Sequence, residues 1–262
     1  MKYVYQIAGV FLLGALGLNA QTKSEEWQKL FNSQDLTGWY VHVRGLEKNA
    51  DPTKIFSITD GMLHIYSTAE QGSKQPVAVI YTEKEYANYD LRFEYKWGVK
   101  RFAPRTEKIR DAGLLYHCYD EQVWPSSVEC QIQEGDTGDI FVVRSQIETS
   151  IDPKQKPKRI FLAEKDGGVM ETIGNTNGVV GIRKTHIAEN DGWNTVEVKI
   201  RGDSAVHIIN GQTNAMVFSM KKPVNGNWEQ LTKGRIALQA EFAEVFYRNI
   251  EIRPAKTDSA KK

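Results

Sequence analysis

After residue 20 the sequence holds no apolar run approaching the ~20 residues that a membrane-spanning helix requires, so no span is expected in the mature chain. Clustered basic excess is also missing, since 34 Lys and Arg stand against 33 Asp and Glu. Nucleic acid and anionic lipid both call for such an excess, and neither is an expected partner. There is no glycine-rich phosphate loop, no nucleophile elbow and no Cys or His set at zinc spacing, which removes nucleotide-dependent and zinc hydrolase chemistry. No stretch sustains a helical period for three turns, so a helical domain is not expected.

What is present begins with an address. Lys2 provides a positive start, residues 7–18 are apolar with small interruptions, and Asn19-Ala20-Gln21 places a small residue at the expected cut. Residues 1–20 therefore read as a signal peptide, and the product as an exported protein of the periplasm or cell surface. No cysteine follows the apolar run, which argues against a lipid-anchored N-terminus. Loss of the leader takes one lysine with it and leaves acidic and basic side chains equal in number. Residues 21–262 show neither a linker nor a repeat and are expected to form one domain, a size that all-β sandwiches commonly reach. The tail from Lys256 reads as a solvated end.

Short runs rich in Val, Ile, Phe, Tyr and Trp recur between Gly, Asn, Asp and Pro, the pattern of an all-β chain. Asp60-Gly61 and Asn210-Gly211 are hairpin signals, because these residue pairs accept the positive φ angles of a tight turn. Eleven or twelve such strands exceed what one open twisted sheet holds, about 10, so two stacked antiparallel sheets are expected. Residues 144–190, with Pro153, Pro157 and several glycines, read as a long loop that either covers a cleft or builds a subunit contact. A short helix is expected at residues 25–31, capped by Ser24. Nothing in the residues sets an oligomeric state.

Two strands, residues 111–119 and 127–133, carry the densest chemistry. Alternation places Asp111, Gly113, Leu115 and His117 on one face of the first, and Glu129, Gln131 and Gln133 on one face of the second. Cys118 and Cys130 then share the opposite, interior face, either as a cross-strand disulfide or as two buried thiols. His117 beside Glu129 has the makings of a general base or of a ligand pair for a divalent ion. His42, His64, His186 and His207 are scattered and read as structural.

Glu129-Cys-Gln-Ile-Gln-Glu134 is similar to the Glu-x-Asp-x-x-Glu signature of laminarinase-type glucanases, in which a bulge brings the second glutamate onto the face of the first. Two carboxyls about 5 Å apart would serve a retaining glycosidase. Gln131 replaces the central aspartate and can orient a sugar but cannot share a proton. Residues 134–139 read either as a polar turn or, through Glu134, Asp136 and Asp139, as oxygen ligands for calcium. The sequence requires no cofactor and leaves a divalent metal open. Of the six tryptophans, Trp39 and Trp193 fit a core, whereas Trp97, leading into the basic cluster at residues 100–110, and Trp124, beside Pro125, fit the rim of a cleft. That basic cluster reads as a loop beside the site.

An ordered set of motifs resembles the 3-keto-disaccharide hydrolase domain family, long catalogued as a domain of unknown function. They are Leu30-Phe-Asn-Ser-Gln-Asp-Leu-Thr-Gly-Trp39, Ile58-Thr-Asp-Gly-Met-Leu-His64, Asn88-Tyr-Asp-Leu-Arg-Phe-Glu-Tyr-Lys-Trp97, Gly192-Trp-Asn-Thr195, Asn210-Gly211, Gly234-Arg-Ile-Ala-Leu-Gln239 and Phe246-Tyr-Arg-Asn-Ile250. The resemblance implies a concanavalin A-like jelly-roll sandwich and an enzyme that cleaves 3-keto-glycosides, by hydrolysis or by elimination and hydration. Glu129 and Gln131 match the family's Glu-x-Gln strand. Asp111-Ala-Gly113 stands where Asn-Ser-Gly is common, and His117 where arginine is frequent. On this basis His117 or Glu129 is expected as base and Glu134 or Asp136 as acid, with Gln131, Asp111, Trp97, Trp124 and Asp136 around a saccharide or glycoside ligand. The alternatives are a non-catalytic carbohydrate-binding module and a retaining glucanase using Glu129 and Glu134.

Overall fold

The structure, a computed structural model, describes residues 26–184 and 186–255. The signal peptide, the Ser24 cap and the tail from Lys256 lie outside these residues. Eighteen strands follow in order: β1 (Gln28–Lys29), β2 (Trp39–Val43), β3 (Phe56–Thr59), β4 (Met62–Ile65), β5 (Ala78–Thr82) and β6 (Tyr89–Arg101). Next come β7 (Asp111–Cys118), β8 (Ser127–Gln133), β9 (Ile140–Val143), β10 (Gln146–Ile151), β11 (Val169–Gly174) and β12 (Val179–Ile182). The last six are β13 (Asn194–Arg201), β14 (Ser204–Ile209), β15 (Gln212–Val224), β16 (Asn227–Gln230), β17 (Arg235–Ala240) and β18 (Ala243–Pro254).

These strands build two sheets, as the strand count required. The larger runs β11-β10-β15-β14-β13-β6-β18-β4-β3, with β1 added on β18 and β16 on β15, and the smaller runs β12-β9-β8-β7-β17-β5-β2. Every ladder between named strands is antiparallel, giving the jelly-roll sandwich. Both hairpin signals fold as expected: Asp60 and Gly61 take φ of 51° and 74°, and Asn210 and Gly211 take 49° and 79°.

The core fills the space between the sheets. Phe93, Val196, Val198 and Tyr247 meet Leu114, Tyr116, Cys130, Ile132, Ile80 and Leu238 there, all buried. On the opposite, outer face of the smaller sheet, Tyr40, Val79, Tyr81, Leu115, Cys118 and Ala237 form a second, smaller apolar cluster against which Trp124 packs. Among the described residues no helix is long and apolar enough to cross a membrane.

Three expectations are corrected. Residues 144–190 are not a long loop: β10 and β11 form a hairpin that extends the larger sheet, and β12 pairs with β9 at the edge of the smaller one. Among the described residues 26–31 the expected short helix is absent, because Gln28 and Lys29 pair with Ile252 and Glu251 of β18. Trp39 is buried, its indole N–H donating to the Leu30 carbonyl at 2.9 Å, but Trp193 is only half-buried on the outside of the larger sheet, beneath the Arg248 guanidinium at 3.9 Å.

Candidate active site on the outer face of the smaller sheet

Alternation along β7, β8 and β17 decides what this face presents. Asp111 pairs with Gln133, Gly113 with Gln131 and Leu115 with Glu129, while Gln239 follows two residues after Ala237, itself opposite Leu115. Just beyond β17, Glu241 bridges to Asp111. Polar side chains therefore converge on one half of the face. The apolar cluster around Tyr40 and Tyr81, whose rings stack at 5.1 Å, occupies the other half. The sheet thus carries a buried aromatic pair beside a cluster of hydrogen-bonding side chains.

Asp111 is the hub of the polar half. Its Oδ1 accepts from Gln131 Nε2 at 2.8 Å, and its Oδ2 accepts from Gln133 Nε2 at 2.8 Å and from Arg105 Nη1 at 2.7 Å. The same Nη1 donates to Glu241 Oε1 at 2.6 Å. Arg105 reaches in from residues 102–110, so the basic cluster does lie beside the site as a loop, with one of its arginines shared between two carboxylates. Burial pushes the Asp111 carboxyl up against the opposing pull of Arg105. Burial and the neighbouring Asp111 raise Glu241 to about 7, with Arg105 working the other way.

Glu129 has a different environment. It is only 1 % exposed, and neither carboxyl oxygen has a hydrogen-bond partner in the protein; nor do Oε1 of Gln131 and Oε1 of Gln239. The absence of a side chain at Gly113 makes this arrangement fit. A Cβ there would stand 2.0 Å from Glu129 Oε1 and 2.4 Å from Gln239 Oε1. Burial above all, then the charges of Asp111 and Glu241, drives the Glu129 carboxyl well above the usual carboxylate range. Burial without a partner therefore favours the neutral, protonated carboxyl, next to amide oxygens that also lack a donor.

Of the residues expected in the site, Glu129, Gln131 and Asp111 come together, and Trp124 joins the same face at its apolar end. The others do not. His117 has φ of 52° and sits at a bulge where β7 spends four residues, Leu115 to Cys118, against three of β17, Arg235 to Ala237. The extra residue turns the imidazole away from Glu129, and its Nε2 N–H donates to the Gly202 carbonyl at 2.8 Å. Burial lowers its proton affinity. The bulge also returns Cys118 to the outer face while Cys130 stays in the core, so the two cysteines lie on opposite faces as free thiols.

Glu134 and Asp136 fall outside for another reason. No bulge intervenes between Glu129 and Gln133, so alternation sends Glu134 to the other side of the sheet. There Arg110 donates to it from Nη2 at 2.8 Å and Nε at 3.1 Å, and Arg101 adds a contact at 3.3 Å. The Arg110 hydrogen bonds hold its carboxyl below the usual range. Trp97 lies with it, lining a cleft of about 320 Å³ together with Arg110, Glu189 and Asp191. Asp136 pairs with Arg183 and Lys184, each at 3.2 Å, and the buried Asp139 meets the same two cations. The acidic turn is thus neutralised by protein cations, and among the described residues no group of three His, Cys, Asp or Glu side chains has metal-binding geometry. The close glutamate pair of a retaining glucanase is not formed.

Sequence reasoning missed Arg105, Gln239 and Glu241. Gln239 stood as a polar residue among the apolar residues 236–240, which was its available signal. Glu241 carried none, because it follows the strand.

No curated protein matches the chain. Two crystal structures of candidate glycosyl hydrolases from Parabacteroides distasonis share the fold: one at 20 % identity and TM-score 0.50, covering 87 % of this chain and 99 % of its own; the other at 18 % and 0.53, covering 88 % and 95 %. The model of the 3-keto-alpha-glucoside-1,2-lyase-like domain matches residues 26–253, nearly the whole described chain, and the protein belongs to that family.

Proposed function

We propose that the chain is an exported enzyme of the periplasm or cell surface that cleaves glycosides oxidised to the ketone at C3. Family membership supports the substrate class. One observation ties the chemistry to this face: the buried, partnerless Glu129 carboxyl beside the partnerless amide oxygens of Gln131 and Gln239. Sugar hydroxyls are the donors that this cluster of acceptors lacks. The half-buried Trp124, backed by the buried Tyr40–Tyr81 stack, offers an apolar edge to a pyranose ring or aglycone.

A C3 ketone acidifies the proton on C2. Its removal, followed by expulsion of the C1 substituent, gives an enone and a free alcohol, and the departing oxygen needs a proton. Glu129, whose burial without a partner favours the protonated form, supplies it. Addition of water to C1 then converts elimination into net hydrolysis. The test is release of the leaving group from a 3-keto-glucoside and from its unoxidised parent. Turnover of the keto compound alone is the expected result. Turnover of the parent would make the protein a conventional glycosidase, and binding of either sugar without turnover would make it a carbohydrate-binding module.

A further inference from the structure

Three carboxyl groups share the polar half of the face, and their surroundings leave each a different task. Glu129 is enclosed among acceptors and must carry a proton to be tolerated there. Asp111 has both oxygens occupied by Gln131, Gln133 and Arg105, which fixes its position and leaves little room for a substrate proton. Glu241 is held through Oε1 alone, by the Arg105 nitrogen that also grips Asp111, and among the described residues no hydrogen bond engages its Oε2. It also stands at the end of β17 beyond Gln239, next to the rim from which Arg105 enters. From these contacts, and resting on the activity proposed above, we infer that Glu241 is the catalytic base that takes the C2 proton, and that Arg105 is the positioning residue that keeps it ionised and aimed.

The step balances over a cycle. The Glu241 carboxylate takes the proton from C2, and the freed electron pair forms the enolate of the C3 ketone. The enolate collapses to a C1–C2 double bond and breaks the C1–O bond, and the leaving oxygen takes the proton of Glu129. In the hydration half, water bonds to C1 and gives a proton to the Glu129 carboxylate, while Glu241 returns its proton to C2. Both groups end as they began.

The charges that face Glu241 come from every side: Asp111 on β7, Arg105 from residues 102–110, Glu129 on β8, Arg44 after β2 and the Tyr66 hydroxyl after β4. Burial and Asp111 oppose its ionisation and Arg105 favours it, so a value of about 7 leaves Glu241 half ionised near neutrality, where a general base is most effective.

Proton removal can be read apart from bond cleavage with 1,5-anhydro-3-ketoglucitol, which has no leaving group, by following exchange of its C2 hydrogen in D₂O by NMR. Cleavage is followed in parallel with a 3-keto-glucoside. Glu241→Gln, which keeps an oxygen to accept from Arg105, is expected to lose on the order of 100-fold or more in both exchange and cleavage. Glu129→Gln should lose cleavage by a far larger factor than exchange. Arg105→Gln should move the acid limb of kcat/KM to higher pH, because the cation that favours the carboxylate is gone, and Glu241→Asp should recover part of the exchange. Wild-type exchange by Glu241→Gln would overturn the assignment while leaving the activity intact. A wild-type protein that neither exchanges nor cleaves would refute the activity itself and the assignment with it.

Discussion

Replacing Glu129 by Gln should make the protein more stable at neutral pH, and by an amount that grows with pH. In the unfolded chain this carboxyl titrates near its ordinary 4.5, whereas burial in the fold raises it well above that value. For a group whose proton affinity is higher in the folded state, the stabilising contribution is fully present below the unfolded value and is lost as pH rises toward the folded one. Between those limits the loss is about 1.4 kcal/mol per pH unit. A Gln has the same shape, needs no proton, and places an N–H donor beside the oxygens of Gln131 and Gln239. Denaturant or thermal unfolding should therefore find the two proteins equal near pH 4 and the variant increasingly ahead as pH rises above 4.5, with each kcal/mol worth about 2–4 °C in Tm for a chain of this size. Asp111 and Glu241 titrate in both proteins, so the difference isolates Glu129. A difference that does not change with pH, or a variant less stable at pH 7, would refute the claim that this carboxyl is buried without a partner.

Three further outcomes follow from the same geometry. Gly113→Ala should cost only about 1–3 kcal/mol of stability, as overpacking does, yet lower turnover on a 3-keto-glucoside by about 100-fold, because Glu129 and Gln239 must both move from over the new Cβ. His117→Ala should behave in the opposite way: turnover is retained, while unfolding measurements register a loss on the order of 2 kcal/mol from the abandoned Gly202 carbonyl and the space left behind. Cys118 and Cys130 should both resist alkylation in the native protein and both react after unfolding without reductant, with mass spectrometry counting two labels.

Much of the scaffold could be read from residue order. Hydrophobic alternation and two turn dipeptides are local properties, and β3–β4, β7, β8 and β14–β15 appear where those signals stood. Glu129, Gln131 and Asp111 share a face for the same reason, since a period of two survives as long as the strand is regular. His117 was misplaced because regularity failed at the residue before Cys118, and nothing in Leu-Tyr-His-Cys marks a bulge. Glu134 was misplaced by the reverse error, a bulge borrowed from a similar glutamate motif that β8 does not have. Residues 144–190 looked loop-like because proline and glycine interrupt them often, but the intervening segments find partners on β15 and β9 that lie far away in sequence.

The sequence by itself determined the class of fold, the strands that would carry chemistry and the family, because these depend on residue type, short-range periodicity and the order of motifs. Only the tertiary structure decided the surroundings of each carboxyl and which side chains share the outer face of the smaller sheet. Whether a carboxyl is neutral or ionised depends on which atoms surround it in space: Glu129 is enclosed by amide oxygens, Glu134 is gripped by Arg110, and Glu241 shares one nitrogen of Arg105 with Asp111. Those neighbours come from strands and loops up to 136 residues apart, and only the stacking of β7, β8 and β17 brings them within hydrogen-bond reach.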